Sequence, residues 1–387
     1  AESSWLPAMA EYVFPDSSLE EVRSLLHSLT TIDAFQRQVM YHFNRQVIKR
    51  SVSSFTCDGL QWLSPNKSYM YVSNHRDIVL DASLLQNALV DNGFQTTEIT
   101  FGANLMCHPL IVDIGKSNKM FRVERGGRAR EFYRSSLHLS QYMRHVICHE
   151  HASVWIAQRN GRTKNGIDAT DPGLVNMFSI SGGRNKMQAL VELHIVPVSV
   201  SYEWEPCDLL KAKELFLSRK AKYVKQAGED IHSILTGIMQ SKGRVHFEIC
   251  RPLQAEELMN LASLPAHDAI AAVTRMIDKR IIDNYRLMPT HYIAYDLMHQ
   301  TNEHATHYSS QERNAFIERL HSLPDTTMRD IFLGIYANPV ISKRNIMRCI
   351  TNERHLADKY RPAYGSCRSL SETSGQTVVE NNGTDRL

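Results

Sequence analysis

The feature that most constrains this chain is a series of short β-favouring apolar runs set apart by stretches with helical spacing. Tyr-Met-Tyr-Val-Ser occupies residues 69–73 and stops at Asn74-His75, and comparable runs lie at Val154–Ala157, Ile195–Tyr202 and Val245–Cys250. β-Branched and aromatic side chains fit a pleated surface. Their alternation with helical patterns predicts an α/β fold, with a mostly parallel or mixed sheet flanked by helices. Ligands of such sheets gather outside the carboxyl ends of the strands. Chemistry is therefore expected just after each run.

The 387 residues, 43% hydrophobic, suffice for one large core with additions. Residues 1–50 read as a helical extension: Ser17 or Ser18 precedes Glu20 or Glu21 in a capping-box spacing, and Val22, Leu25, Leu26 and Leu29 follow with helical period. The α/β domain is placed at 51–254, a helical C-terminal extension at 255–364, and a disordered tail rich in Ser, Thr, Gly and Asn at 365–387. Within the extension, helices are expected over Ala255–Tyr285, Gln311–Leu320 and Met328–Tyr336, with Pro289, Pro324 and Pro339 as breaks.

A formal charge of +3, from 44 basic and 41 acidic residues, is too balanced for general nucleic-acid binding. The seven cysteines lack a Cys-x-x-Cys pair, so neither a disulfide framework nor a zinc module is expected, and a reducing cytoplasm fits. No apolar run of about 18 residues is present. One segment carries both signals for a membrane surface: Phe35, Val39, Met40, Phe43, Val47 and Ile48 keep a helical period while Arg37, Arg45, Lys49 and Arg50 take polar positions. It reads either as a lipid-contacting helix or as a basic helix packed on its own domain.

Four blocks carry chemistry. The first, Asn74-His75-Arg76-Asp77-Ile78-Val79-Leu80-Asp81, opens where a strand stops, which suits a histidine base whose far nitrogen is fixed by a carboxylate. Asp81 and Asp77 are both in reach. The second spans Lys116 to Arg128 and holds Arg122, Arg125 and Arg128 beside Gly126 and Gly127; the third, directly after a strand, holds Gln158, Arg159, Gly161, Arg162 and Lys164. Cations beside glycines bind phosphate with guanidinium forks and backbone amides, or are solvated loops. The fourth is the Ile195–Tyr202 strand with Val196-Pro197. His145, His149 and His151 have a metal-like spacing without an accompanying carboxylate motif, and no metal or other cofactor is expected.

In this order and spacing the blocks resemble the glycerol-3-phosphate and 1-acylglycerol-3-phosphate acyltransferase superfamily, over residues 69–253. Gly102-Ala103-Asn104-Leu105, Pro109 and Phe121 to Arg125 are similar to the glycerol-3-phosphate branch. The resemblance places His75 with Asp81, or Asp77, on the catalytic His-x4-Asp motif. It puts Arg125 on the second-motif arginine, Gln158 and Arg162 on the Glu and Arg of Glu-Gly-x-Arg, and Val196-Pro197 on the fourth motif. Arg122, Arg128, Arg159 and Lys164 are supporting candidates for the acceptor phosphate. Two departures stand out: His75 to Asp81 is one residue longer than the family spacing, and the third motif has Gln158 for Glu with an additional Gly161.

The resemblance implies transfer of a fatty acyl group from acyl-CoA or acyl-carrier protein to glycerol 3-phosphate or 1-acylglycerol 3-phosphate. A peripheral position on the cytoplasmic face of a membrane goes with it. Gln158 admits a different lysolipid or aminolipid acceptor, and the irregular motifs admit a non-catalytic lipid-binding or scaffolding protein on the same fold.

Overall fold

A computed structural model describes residues 3–359, apart from 107–108, 125–127, 220, 222 and 227; of Asn104 and of 347–359 only the backbone is described. Residues 1–346 form one compact unit and 347–387 a second. The tail expected at 365–387 lies outside the described residues.

Seven strands make one mixed sheet: β1 Val52–Asp58, β2 Met70–Ser73, β3 Glu98–Gly102, β4 Met120–Val123, β5 Val154–Ala157, β6 Ile195–Tyr202 and β7 Gly243–Ile249, in the order β1-β7-β6-β2-β5-β3-β4. All neighbours pair parallel except β6 with β7, so β1 and β7 run against the other five. The carboxyl ends of β2, β3, β4, β5 and β6 therefore share one edge. Both faces are covered: Met70, Val72, Val154 and Ile156 enter one apolar cluster, while Tyr69, Tyr71, Trp155, Val196 and Val198 enter another. The four runs read from the sequence are β2, β5, β6 and β7; β1 and β3 are interrupted by polar residues and β4 is only four residues long with Arg122 inside it, so their apolar signal is weaker.

At the N-terminus the helix Leu19–Ser28 is closed by a capping box in which Ser18, not Ser17, pairs with Glu21. The basic amphipathic segment ends in the helix Tyr41–Ser51, and its apolar face is spent inward: Val47 is fully buried, with Phe43 and Ile48 packed beside it on the sheet cluster. Arg37 pairs with Asp33 at 2.8 Å and Arg50 lies over the Tyr12 ring at 4.2 Å. The lipid-contacting reading of this helix gives way to the packed one.

The C-terminal helices are Ala255–Met259, Ala266–Asn284, Pro289–His299, Ser310–His321 and Thr326–Lys359. Two expected breaks behave differently. Pro289 begins a helix, at the position where a missing N–H costs nothing. Pro339 lies inside the last helix rather than ending it. Gly166 packs so closely on the carbonyl that Pro339 cannot bond, that of Ile335, that an added Cβ would come within 2.1 Å of the oxygen; Asn338 Nδ2 donates to Asn165 O nearby at 2.7 Å.

Candidate active site

β2 ends because Asn74 replaces strand pairing with its side chain: its amide donates to Val200 O at 3.0 Å and accepts from Val200 N–H at 2.7 Å. The chain then turns at the central edge of the sheet and presents His75. Its Nδ1 lies 2.9 Å from Asp81 Oδ2, with 11% of the imidazole side chain exposed and none of the carboxylate. Asp81 sits in the first turn of the helix Leu80–Asp91, where negative charge is favoured. Four donors converge on it: His75, the backbone N–H groups of Arg76 at 2.6 Å and Asp77 at 2.9 Å, and the Tyr202 hydroxyl at 2.9 Å. Burial, followed by the charges of Asp81 and Asp77, pushes the Tyr202 phenol well above its ordinary range, so it stays a donor. With Asp81 accepting, the His75 proton resides on Nδ1 and the Nε2 lone pair is available as a base.

The choice between the two aspartates is decided by geometry. Asp77 Oδ1 accepts from the backbone N–H groups of Val79 and Leu80, both at 2.9 Å, and so caps the helix that carries Asp81. The extra residue between His75 and Asp81 is accommodated in this capped turn.

Behind the turn lies a buried ionic cluster invisible in the motif spacing. Arg76, fully buried, donates to Asp168 Oδ2 at 2.5 Å, reaches Glu205 at 3.4 Å and lies over the Tyr285 ring at 5.0 Å. Burial disfavours its charge, but Asp168, Tyr285 and Glu205 outweigh this and hold the guanidinium above its usual value. Lys211 donates to the Arg76 carbonyl at 2.6 Å and to Glu205 at 2.7 Å, and Asn74 and Thr163 both donate to Asp168 at 3.0 Å. Two cations and two carboxylates thus fix the residues flanking His75. Trp155 on β5 walls the imidazole in edge-on contact at 5.9 Å.

The other predicted residues scatter. Arg125 lies outside the described residues. Arg122 on β4 is exposed, pairs with Glu124 at 2.5 Å and sits three strands along the sheet from β2, about 14 Å at ordinary strand spacing. Arg128 is exposed at the start of the helix Ala129–Cys148. Arg159 is half-buried in the loop after β5, and Lys164 in the same loop pairs with Glu214. Gln158 is completely buried, accepting from Thr170 at 3.3 Å. Arg162 is the exception. Its Nη1 is buried with no hydrogen-bond partner among the described residues, and it lines a cavity of about 530 Å³ with Cys207, Lys211, Lys213, Glu229 and His232. The cavity abuts the turn that carries His75: Lys211 bonds the Arg76 carbonyl, and Thr163, next to Arg162, donates its N–H to His75 O at 2.7 Å.

The His145 and His149 rings lie tilted to one another on the surface with centroids 5.4 Å apart, and His145 meets Glu150 at 3.3 Å. Among the described residues, the group with metal-like proximity is Asp58, His246 and Glu248, with ligand atoms within 4.8 Å. It lies on β1 and β7, where Asp58 pairs with Arg286 at 2.9 Å, His246 with Thr56 at 2.8 Å and Glu248 with His246 itself at 3.3 Å.

No known family profile matches this sequence, and no curated protein matches it. Among solved structures it is similar to the 1-acyl-sn-glycerophosphate (LPA) acyltransferase PlsC from Thermotoga maritima, with 11% identity and a TM-score of 0.36 over 70% of this chain and 87% of that one. A likeness at that level assigns no role to any residue. The roles below rest on the site itself and on the motif resemblance.

Proposed function

We propose that this protein is an O-acyltransferase that moves a fatty acyl group from the thioester of acyl-CoA or acyl-carrier protein to a hydroxyl of glycerol 3-phosphate or 1-acylglycerol 3-phosphate. The observation that carries the reading is the His75–Asp81 pair: an imidazole held in one tautomer by a four-fold bonded carboxylate, at the carboxyl edge of the central strand, beside a cavity with an unpartnered arginine nitrogen. An ordinary core histidine has no need of such an arrangement.

In the reaction, His75 Nε2 takes the acceptor hydroxyl proton as the oxygen attacks the thioester carbonyl. The tetrahedral intermediate collapses, the C–S bond breaks, and the imidazolium returns the proton to the departing thiolate, giving an ester and a free thiol. Asp81 stabilises the imidazolium without itself being protonated. Arg162, and Arg125 through the motif resemblance, neutralise the acceptor phosphate. Gln158, buried against Thr170, acts on the acceptor only through the loop it supports. Membrane association in this reading is peripheral and on the cytoplasmic face; among the described residues no helix is long and apolar enough to cross a bilayer.

The test is acyl-CoA consumption followed by free-thiol release across a panel of glycerol phosphate, lysolipid and aminolipid acceptors. Acceptor-dependent release is expected, falling about 10³-fold or more in a folded His75→Ala variant. Near-normal turnover of that variant would remove His75 as the base. Thioester loss without acceptor would make the protein a hydrolase, and no release with any acceptor would favour a lipid-binding scaffold.

A further inference from the structure

With the basic N-terminal helix packed inward, the surface that meets lipid must be sought elsewhere. The helix Glu229–Met239 carries apolar side chains on both sides. Inward, Ile238 packs on the sheet cluster beside the small, buried Ser233 and Gly237, while Ile231, Leu235 and Met239, one turn apart, point outward with 37%, 51% and 65% of their surface exposed. An ordinary surface helix places polar side chains there. Leu217 and Val224, 39% and 69% exposed, extend the apolar surface and also line the Arg162 cavity.

The inward face explains the small residues. At Gly237 an added Cβ would come within 2.2 Å of Asp77 Oδ2, and Cys207 Sγ donates to Ser233 O at 3.2 Å. The helix therefore lies flush against the turn that carries His75. The stretch leading into it, residues 219–225, reads Arg-Lys-Ala-Lys-Tyr-Val-Lys, four cations with no acid. Arg219 and Lys225 are exposed, as is Lys213.

We infer that the outward face of the helix Glu229–Met239, with the exposed cations Lys213, Arg219 and Lys225, docks this protein on an anionic lipid surface and sets the mouth of the Arg162 cavity against the membrane. The inference deepens the acyltransferase reading and rests on it for the purpose of the docking, not for the surface. Aliphatic residues beside lysines and arginines match the acyl boundary and the headgroups of an anionic leaflet. A second copy fits poorly, because a two-fold contact would set Lys213, Arg219 and Lys225 near their own like charges. The helix's acids, Glu229 and Asp230, sit in its first turn, where they complement the dipole; Asp230 also pairs with Lys225, so that cation reaches headgroups only in competition with its own partner.

The experiment uses the full chain in vesicle flotation, comparing phosphatidylcholine alone with phosphatidylcholine plus phosphatidylglycerol. Acyl transfer to a water-soluble, short-chain substrate pair is measured in parallel. Wild type is expected to float with the anionic vesicles, less with the zwitterionic ones, and less as salt rises. Leu235→Asp with Met239→Asp is expected to cut flotation roughly tenfold or more. Arg219→Glu with Lys225→Glu is expected to remove the preference for phosphatidylglycerol. Neither pair alters soluble-substrate turnover. Flotation of the Leu235/Met239 variant equal to wild type would overturn the inference. So would a wild-type dimer that the same substitutions dissociate without any vesicle binding. Expected flotation with no acyl transfer from wild type would leave the docking surface standing and sink the acyltransferase reading.

Discussion

At the scale of single residues, the two aspartates of the His75 turn hold different work although only three positions separate them. Asp81 accepts from the imidazole and from Tyr202, whereas Asp77 closes the end of a helix. Replacing Asp81 by Asn removes the acceptor that fixes the tautomer, and kcat should fall about 10³- to 10⁴-fold while the protein stays folded. Asn caps a helix as well as Asp, so Asp77→Asn should keep kcat within about tenfold. Steady-state kinetics of the two variants decide the matter, and a larger loss in the Asp77 variant would reverse the assignment. Sequence spacing alone left this choice open, because both carboxylates lie within a turn of His75.

Among the elements, what matters is how closely the helix Glu229–Met239 lies on the catalytic turn. Gly237→Ala would drive a methyl into the Asp77 carboxylate, and the loss is expected to be about 1–3 kcal/mol with a parallel drop in acyl transfer, because the turn must shift. Gly93 is the control: its φ of +79° makes alanine strained, yet nothing lies within 4 Å. Gly93→Ala should cost about 1 kcal/mol and leave turnover unchanged at temperatures where both variants are folded. Equal turnover in the two would mean that the helix position does not govern the site. The missed strands belong to this scale too. β3 alternates polar and apolar residues over a few positions and β4 is only four residues long, and pairing with neighbours rather than composition makes them strands.

Over the whole molecule, buried polar groups join segments remote in sequence, and the fold's response to acid follows from them. His291 accepts from Met288 N–H at 3.0 Å and meets the Tyr285 hydroxyl at 3.1 Å. Burial, then the nearby charge of Arg76, pushes it down from 6.5 to about 3. Because the folded pKa is depressed, the unfolded chain takes up the proton first. Stability is therefore complete above pH 6.5 and lost as pH falls toward about 3. The slope is up to about 1.4 kcal/mol per pH unit from this residue. His246, pushed down to about 4 mainly by burial, acts in the same direction. His291→Gln should flatten the thermal midpoint between pH 6.5 and 4 relative to wild type, read by calorimetry at each pH. An unchanged acid slope would place its origin elsewhere.

The sequence by itself determined the α/β alternation, the central strands at 154–157 and 195–202, and the location of His75 at the end of a third. It could do so because strand burial and strand ends are written in local residue chemistry: apolar runs, then an asparagine and a histidine. Tertiary structure alone decided the rest. Arg76, Asp168, Glu205 and Lys211 meet only when β2, the loop after β5, β6 and the helix Asp208–Ser218 pack together, and no periodicity marks them. The same holds for the basic helix at 41–51 and the apolar stripe at 231–239. Each is amphipathic in sequence, and which face meets solvent depends on what the rest of the chain lays against it, here the sheet for one and the turn at Asp77 for the other.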